Sequence, residues 1–266
     1  MYHCDNDQIC RVISCQRISE YQIEAYFSQL AKYQLLKLTD YVNFPVGVSI
    51  DSTSGFLTIV EHKYTSLYEL IHYGDPVSPH LKRAILLKLA RLLTTLHFLR
   101  IYHGHLSSHN IFIQIPPDSL DWEEQEEKLQ VRLGQSELKD LSIYANLFYS
   151  YRDKSAWSAP ECLAQKKKMC EPTQAMDVYS FGVLMWEIWH EKLPFDEDLG
   201  EAVQVVLKEG KRPYIAEINA DGTNDDENSE SESGCVTASM AELIRMCWQE
   251  DTRPAFADIC AVLTIE

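Results

Sequence analysis

The sequence Tyr-His-Gly-His-Leu-Ser-Ser-His-Asn-Ile-Phe-Ile occupies residues 102–113, and the rest of the chain can be placed around it. A long helical pattern precedes it, beginning at Ser78 and Pro79, a cap residue and a first-turn proline typical of helix starts. Apolar residues recur there every three to four positions, at Leu81, Ile85, Leu89, Leu92 and Leu96. The closing Ile-Phe-Ile predicts a short strand. The polar residues are therefore predicted to form a loop between a buried helix, which ends near Arg100, and a strand.

Length, composition and charge limit the classes of protein that this chain can represent. Its 266 residues, 45% of them hydrophobic, suffice for one large domain or two lobes with a packed core. The formal net charge of -16 opposes nonspecific binding to nucleic acid or anionic membranes, and the run 166–168 of three lysines is interpreted as a solvated loop. No apolar run reaches the roughly 18–20 residues that span a membrane. Neither nucleic-acid binding nor membrane insertion is expected.

The eight cysteines do not have the spacing of a metal site. No Cys-x-x-Cys pair occurs, and the gaps between Cys4, Cys10 and Cys15 fit no common zinc ligand set. Met1 is followed by polar and acidic residues, which predicts no signal peptide. We therefore expect reduced thiols in a cytoplasmic protein, without a metal site.

The N-terminal part is predicted to be a small, mostly β lobe with one helix. Residues 8–18 are rich in β-branched side chains and predict a strand. Ser19 begins a capping-box pattern, and 20–37 predicts a helix. Its buried face is expected to contain Ile23, Phe27 and Leu30. Two further strands, 44–50 and 56–62, are joined by a polar turn.

The remainder is predicted to be mainly helical, with a short helix from Thr65 and short strands over 111–114 and 130–133. Two acidic insertions interrupt it. Residues 118–128 lie between those strands, and 221–234 contain no apolar residue, which predicts a disordered surface loop. Three serines in this loop lie beside acidic residues and could accept phosphate, although a solvent-exposed loop without a function is the preferred interpretation. They are Ser229, Ser231 and Ser233.

Several longer segments carry a common pattern. They are 103–110, Trp157-Ser158-Ala159-Pro160-Glu161, the helical stretch 177–188, Leu193-Pro194-Phe195, and 247–256, which contains Cys-Trp and Arg-Pro-Ala-Phe. In order and spacing they resemble the motifs of protein kinases. The last is similar to a segment of tyrosine kinases and tyrosine-kinase-like kinases, and together with Trp157 it resembles the tyrosine-kinase-like branch. The resemblance implies an α+β, bilobal protein kinase-like fold. A β-rich N-lobe over 1–62 would lack the first hairpin, and a helical C-lobe would cover 63–266.

The resemblance also implies contacts that support the fold without any catalysis. Glu161 should pair with Arg253, which would tie the activation segment to the large lobe. Asp177 should accept hydrogen bonds from the backbone of the loop 103–110. His103 should pack under the same loop.

Phosphoryl transfer requires a cover over the phosphates, a lysine and metal-binding groups, and the matching positions are degenerate. No glycine precedes Gly47, so the glycine-rich loop is absent from this sequence, which begins after that hairpin either by truncation or by evolution. The lysine position is occupied by Cys15 or Arg11, depending on the strand register, and a guanidinium does not replace an ammonium geometrically. The helix glutamate would be Glu20 or Glu24, which are interpreted as surface residues.

The loop itself has also changed at the positions that carry chemistry. In the pattern His-Arg-Asp-Leu-x-x-x-Asn, the arginine is Gly104 and the aspartate is His105. The imidazole could still accept a proton. Gln135 stands at the metal-binding aspartate position, where its neutral amide cannot neutralise Mg²⁺, although a register shift would bring Glu137 near. Asn110 matches the second metal ligand, yet alone it fits better as part of the hydrogen-bond frame.

These departures favour a pseudokinase that binds other proteins as a scaffold or allosteric regulator, with no cofactor. A divergent active kinase using ATP and Mg²⁺ is the alternative, and regulation of an adjoining enzymatic domain, such as a cyclase or second kinase, is a third hypothesis. Any nucleotide would contact Asn110 and a hinge at Val60, Glu61 and His62. Partners are expected on helix 20–37, on Trp186 and Trp189 if these are exposed, or on 138–156. That last surface contains Tyr144, Tyr149 and Tyr151, which are phosphate acceptors or packed aromatics.

Overall fold

The computed structural model describes most of the chain. The described residues are 2–3, 9–15, 20–51, 53, 56–117, 122–134, 156–163, 172–195, 209–217 and 236–265. Contacts divide the chain into two compact units, Met1–Leu67 with Asn110–Tyr149, and Tyr68–His109 with Ser150–Glu266. The described residues 110–134 group by their contacts with the first unit.

The first unit contains a four-stranded antiparallel sheet against one helix. The strands are β1 (Tyr2–His3), β2 (Ile9–Cys15), β3 (Pro45–Asp51) and β4 (Phe56–His62), in the order β1-β2-β4-β3. Helix α1 spans Glu20–Leu35. The core between helix and sheet consists of Tyr26, Leu30, Leu57 and Ile59.

The buried face of α1 differs from the prediction at one position. Phe27 is 39% exposed, whereas Tyr26 is only 1% exposed. Residues 23, 26, 30 and 33 continue one stripe at steps of three and four, and Phe27 lies about 100° around the helix from Tyr26. The expectation of a buried Phe27 is therefore wrong, because a helical repeat read from sequence does not fix which of two adjacent aromatics faces the core.

A second, three-stranded sheet in the first unit has the order β5-β6-β7. Its strands are β5 (Thr65–Ser66), β6 (Ile111–Gln114) and β7 (Gln130–Leu133), all antiparallel. Thr65 was expected to begin a helix, but it pairs with Ile113, and helix α2 spans Leu67–Tyr73. The acidic insertion at 118–128 contains a further helix, α4, over Trp122–Lys128.

The second unit is built on two long helices. Helix α3 spans Pro79–Phe98, and the side chain of its cap residue Ser78 accepts a hydrogen bond from the backbone N–H of Leu81. The helix stops at Phe98 rather than at Arg100, whose positive φ of 58° is incompatible with a continuing helix. Leu81 is half-buried and the other four stripe residues are buried, as the spacing predicts.

The other long helix, α6, spans Gln174–His190 and is buried on nearly all sides. Shorter helices are α5 (Pro160–Leu163), α7 (Ala238–Cys247) and α8 (Phe256–Ile265). Helix α8 packs on α3, and α7 packs on α6. Among the described residues, no helix has the length and apolar composition needed to cross a membrane.

Candidate functional site

The loop at residues 102–109 is held by the carboxylate of Asp177, in the first turn of α6. Its Oδ2 accepts hydrogen bonds from the backbone N–H of His103 at 2.8 Å and from the ring Nε2 of His97 at 2.9 Å. Its Oδ1 accepts one from the backbone N–H of Gly104 at 2.7 Å. Asp177 is fully buried, so these donors replace the water that its charge would otherwise require. The expected contact with the loop backbone is therefore present.

Gly104 has a backbone conformation that requires glycine. Its φ is +68°, and a Cβ there would lie 2.6 Å from the side chain of Pro172. An L-residue would meet both a strained backbone and a rigid proline ring. The backbone conformation and the neighbouring proline therefore favour glycine at the position where kinases have arginine.

The two loop histidines have different settings. His103 is 3% exposed, and its Nδ1 accepts a hydrogen bond from the backbone N–H of His105 at 3.3 Å. His103 therefore lies under the loop, as expected. The side chain of His105 is half-buried. It stands where the resemblance places the catalytic base.

A second buried carboxylate, Glu187 of α6, joins the same loop to two further segments. Its Oε1 accepts a hydrogen bond from Ser108 Oγ at 2.7 Å and lies 3.0 Å from His72 Nε2. Its Oε2 accepts one from Trp157 Nε1 at 2.8 Å. Glu187 is 0% exposed, and an ionised carboxylate only accepts, so the His72 nitrogen that faces it is a donor. Glu187 fixes the loop to α2 and to the segment before α5.

Aromatic rings cover the outer side of this cluster. The ring of His109 stacks on Tyr68 at a centroid distance of 3.9 Å and meets Trp157 edge-on at 5.8 Å. Tyr68 also contacts His72 at 4.6 Å. The loop is thus packed laterally as well as hydrogen-bonded.

The expected pair between Glu161 and Arg253 is also present. Arg253 donates from Nη1 to Oε1 at 2.5 Å and from Nη2 to Oε2 at 3.1 Å, and its Nη1 donates to the Ala175 carbonyl at 2.8 Å. Its side chain is 4% exposed, but that of Glu161 is 42% exposed. Partial burial acts to raise the pKa of Glu161. The hydrogen bond from Arg253, a backbone hydrogen bond and the charges of Arg253 and Arg212 together outweigh burial and hold that pKa below its usual value. The pair is less buried than the resemblance suggests.

In the first unit, Asn110 lies directly against Gly134. The backbone N–H of Gly134 donates to the Asn110 carbonyl at 2.8 Å, and a Cβ on Gly134 would lie 1.5 Å from Asn110 Oδ1. The amide of Asn110 therefore packs on the backbone that leads into residue 135. This geometry agrees with a framework role for Asn110.

The hinge position is occupied by a buried acid. Glu61 is 0% exposed and accepts a hydrogen bond from Asn43 Nδ2 at 2.8 Å. Val60 and His62 are half-buried. In the backbone register of β2 and β4, Arg11 lies opposite Glu61.

The remaining site predictions have mixed outcomes. Cys15 lies opposite Leu57 in the sheet, and Glu20 and Glu24 are exposed on α1. Gln135, Glu137, the tyrosines of 138–156 and the serines of 221–234 lie outside the described residues. Trp186 was a conditional docking position. It is 6% exposed and its Nε1 donates to the Tyr214 carbonyl at 2.7 Å, so its ring does not offer an open surface.

Sequence reasoning assigned no role to Glu187 or His97. A glutamate within the apolar run 181–188 was the available signal for Glu187, because a buried acid needs several donors. Its partners are distant in sequence, however, and local patterns do not identify them.

These findings define the class of protein. The family model for protein tyrosine and serine/threonine kinase matches residues 14–263. The chain belongs to this family as a protein kinase-like domain, with a sheet-containing N-terminal part and a helical C-terminal part.

Individual relatives include enzymes and a scaffold. The chain is 26% identical, over 96% of its length, to a protein of Acanthamoeba polyphaga mimivirus named as a serine/threonine-protein kinase/receptor. It is 30% identical over 83% to a receptor-type guanylate cyclase of Drosophila melanogaster, and 27% identical over 77% to scaffold protein ILK of Mus musculus. It covers 14%, 14% and 40% of these proteins, respectively, and so corresponds to one part of each.

Proposed function

We propose that this domain is a pseudokinase of the tyrosine-kinase-like branch. It acts in signalling by binding other proteins, as a scaffold or allosteric regulator, and does not transfer phosphate. No nucleotide, metal or other cofactor is needed for this role.

One observation carries the proposal: the loop keeps its structural frame while its chemical positions have changed. Asp177 and Glu187 are buried and accept hydrogen bonds from several loop and neighbouring groups. In the loop that these carboxylates hold, His105 stands at the position of the catalytic aspartate. Gly104 stands at the arginine position, where its positive φ and the nearby Pro172 ring disfavour any side chain. The fold is thus supported by contacts that do not depend on nucleotide.

Changes elsewhere in the sequence agree with this interpretation. No glycine precedes Gly47 and no lysine precedes Lys32 in residues 1–46, and the strand position of the kinase lysine is occupied by Cys15 or Arg11. At the metal position, Gln135 offers no charge to Mg²⁺. Phosphoryl transfer depends mainly on charged groups positioned around the phosphates and the metal ion, and these substitutions remove the lysine and the metal-binding aspartate.

Two of the relatives are consistent with a binding role within a longer protein. A scaffold protein is among them, and so is a receptor-type guanylate cyclase of which this chain matches 14%. A domain of this kind could regulate an adjoining enzymatic domain in the same chain. This is a variant of the allosteric role and needs no chemistry from the loop.

The alternative is a divergent active kinase that uses ATP and Mg²⁺. It is favoured by His105, whose imidazole can accept a proton near neutral pH, and by relatives named as kinases. It would require Glu137 or another acid to replace the metal aspartate.

A thermal-shift measurement with Mg·ATP separates the two functions. A ligand at 100 times its dissociation constant stabilises the folded state by about 2.7 kcal/mol, or roughly 5–10 °C for a domain of this size. We expect no shift with ATP, with or without Mg²⁺. The matched controls are His105→Ala and Gln135→Ala, which should melt like the wild type in both conditions.

A shift that requires Mg²⁺ and disappears in His105→Ala or Gln135→Ala would overturn the proposal. A shift that is the same with EDTA would indicate nucleotide binding through the hinge alone. That result is compatible with a pseudokinase but would show that the domain binds nucleotide without a metal ion.

A further inference from the structure

Helix α1 has a second apolar ridge that does not contribute to its core face. Tyr26 and Leu30 face the sheet, whereas Phe27, Ala31 and Leu35 are exposed at positions i, i+4 and i+8. Phe27 is 39% exposed and Leu35 is 82% exposed. A contiguous apolar ridge on an exposed helix is typical of an interaction surface.

The charges beside this ridge are segregated along the helix. Glu20 and Glu24 lie in its N-terminal half, Lys32 lies in its last turn, and Lys37 follows its end. All four side chains are exposed. A surface that is acidic at one end and basic at the other is complementary to an antiparallel copy of itself.

We propose that a second copy of this chain binds here, with the two α1 helices antiparallel about a two-fold axis at Ser28. That axis places Glu24 opposite Lys32 of the second copy, because 28 is midway between 24 and 32 in the sequence. This pair occurs twice in the dimer by symmetry.

The side chains near the axis suit this arrangement. Ser28 and Ala31 are small and exposed, which lets the helix backbones approach closely. Phe27 and Leu35 flank them and would pack across the contact. The antiparallel orientation also opposes the two helix dipoles favourably.

The size of the surface sets the strength of the dimer. Helix α1 has 16 residues and is therefore about 24 Å long. One helix pair buries less than the roughly 1,200 Å² of a stable interface, so a dissociation constant on the order of 10–100 μM is expected. The inference goes beyond the proposed function, because an active kinase could dimerise in the same way.

The test is sedimentation velocity of the chain over a range from micromolar to about 1 mM, with charge reversals. Glu24→Lys and Lys32→Glu should each weaken self-association about tenfold, since each creates two repulsive contacts in the dimer. The double variant should associate like the wild type. An equimolar mixture of the two single variants should also associate like the wild type, because their charges complement each other.

Two further variants provide a control for unrelated charge effects and a test of the apolar contact. Glu242→Lys reverses an exposed charge on α7 and should leave self-association unchanged. Leu35→Ser should weaken association at least fivefold without lowering the melting temperature, because that side chain is 82% exposed. The proposal is overturned by a wild type that is monomeric at about 1 mM, by single reversals that associate normally, or by a double variant that is not restored.

Discussion

Replacement of Glu187 should distinguish a hydrogen-bonding role from simple filling of space. The carboxylate is fully buried and has donors at Ser108 Oγ, at Trp157 Nε1 and at His72 Nε2, all within 3.0 Å. Glu187→Leu keeps approximate volume but leaves these three groups without their acceptor. Glu187→Gln keeps one carbonyl oxygen, which can face the indole N–H, the only one of the three that cannot accept instead.

The expected magnitudes follow from these contacts. Each buried polar group that loses its partner costs about 1–3 kcal/mol, and the hydroxyl of Ser108 can rotate to limit its own loss. Glu187→Leu should therefore reduce the free energy of unfolding by about 3–5 kcal/mol. Glu187→Gln loses mainly the charge assistance of its hydrogen bonds, which amounts to about 1–2 kcal/mol.

Denaturant unfolding at pH 7, followed by circular dichroism, measures both variants. A double-mutant cycle with Trp157→Phe isolates one contact, and the coupling free energy should be about 1–3 kcal/mol because the orphaned indole N–H is removed together with its acceptor. Equal losses of stability for Glu187→Leu and Glu187→Gln, or strictly additive effects in the cycle, would show that Glu187 does not stabilise the fold through these hydrogen bonds.

Three further outcomes are expected. Gly134→Ala should destabilise by about 1–3 kcal/mol, because its Cβ would meet Asn110 Oδ1 at 1.5 Å, and adding Asn110→Ala should recover much of that loss in chemical denaturation. Gly104→Ala should cost about 1–3 kcal/mol from its positive φ and the Pro172 ring, measured in the same assay; a neutral effect would contradict the described loop backbone. Burial lowers the pKa of His190 from 6.5 to about 4, so the unfolded chain binds this proton first as pH falls. Stability from this group is complete above pH 6.5 and should fall by about 3 kcal/mol as the pH approaches 4; His190→Gln should flatten that slope in urea titrations at several pH values.

The elements with strong local signals could be predicted from the sequence. The start of α3 is an example, because Ser78 and Pro79 determine it without help from the rest of the molecule. The contact of Asp177 was expected from the resemblance to kinase motifs and not from residue spacing. The donors at 103 and 104 lie in one of these motifs and Asp177 lies in another, so the resemblance covers both sides of the interaction.

The features that were missed depend on distant partners or on single-residue register. Thr65 forms a strand because Ile113, 48 positions away, is opposite it, and its local sequence favours a helix equally well. The apolar repeat in α1 allowed either Tyr26 or Phe27 to face the core. Glu187 has partners at 72, 108 and 157, which only the folded chain brings together.

An assay of phosphate transfer by the purified domain distinguishes a pseudokinase from an active kinase. Wild type and His105→Ala are incubated with Mg²⁺ and labelled ATP at high enzyme concentration, and both autophosphorylation and ADP release are measured. We expect both proteins to give no more product than heat-denatured wild type, because the loop around Asp177 is a structural frame. Product formed by the wild type and abolished in His105→Ala would show that the domain is an active kinase.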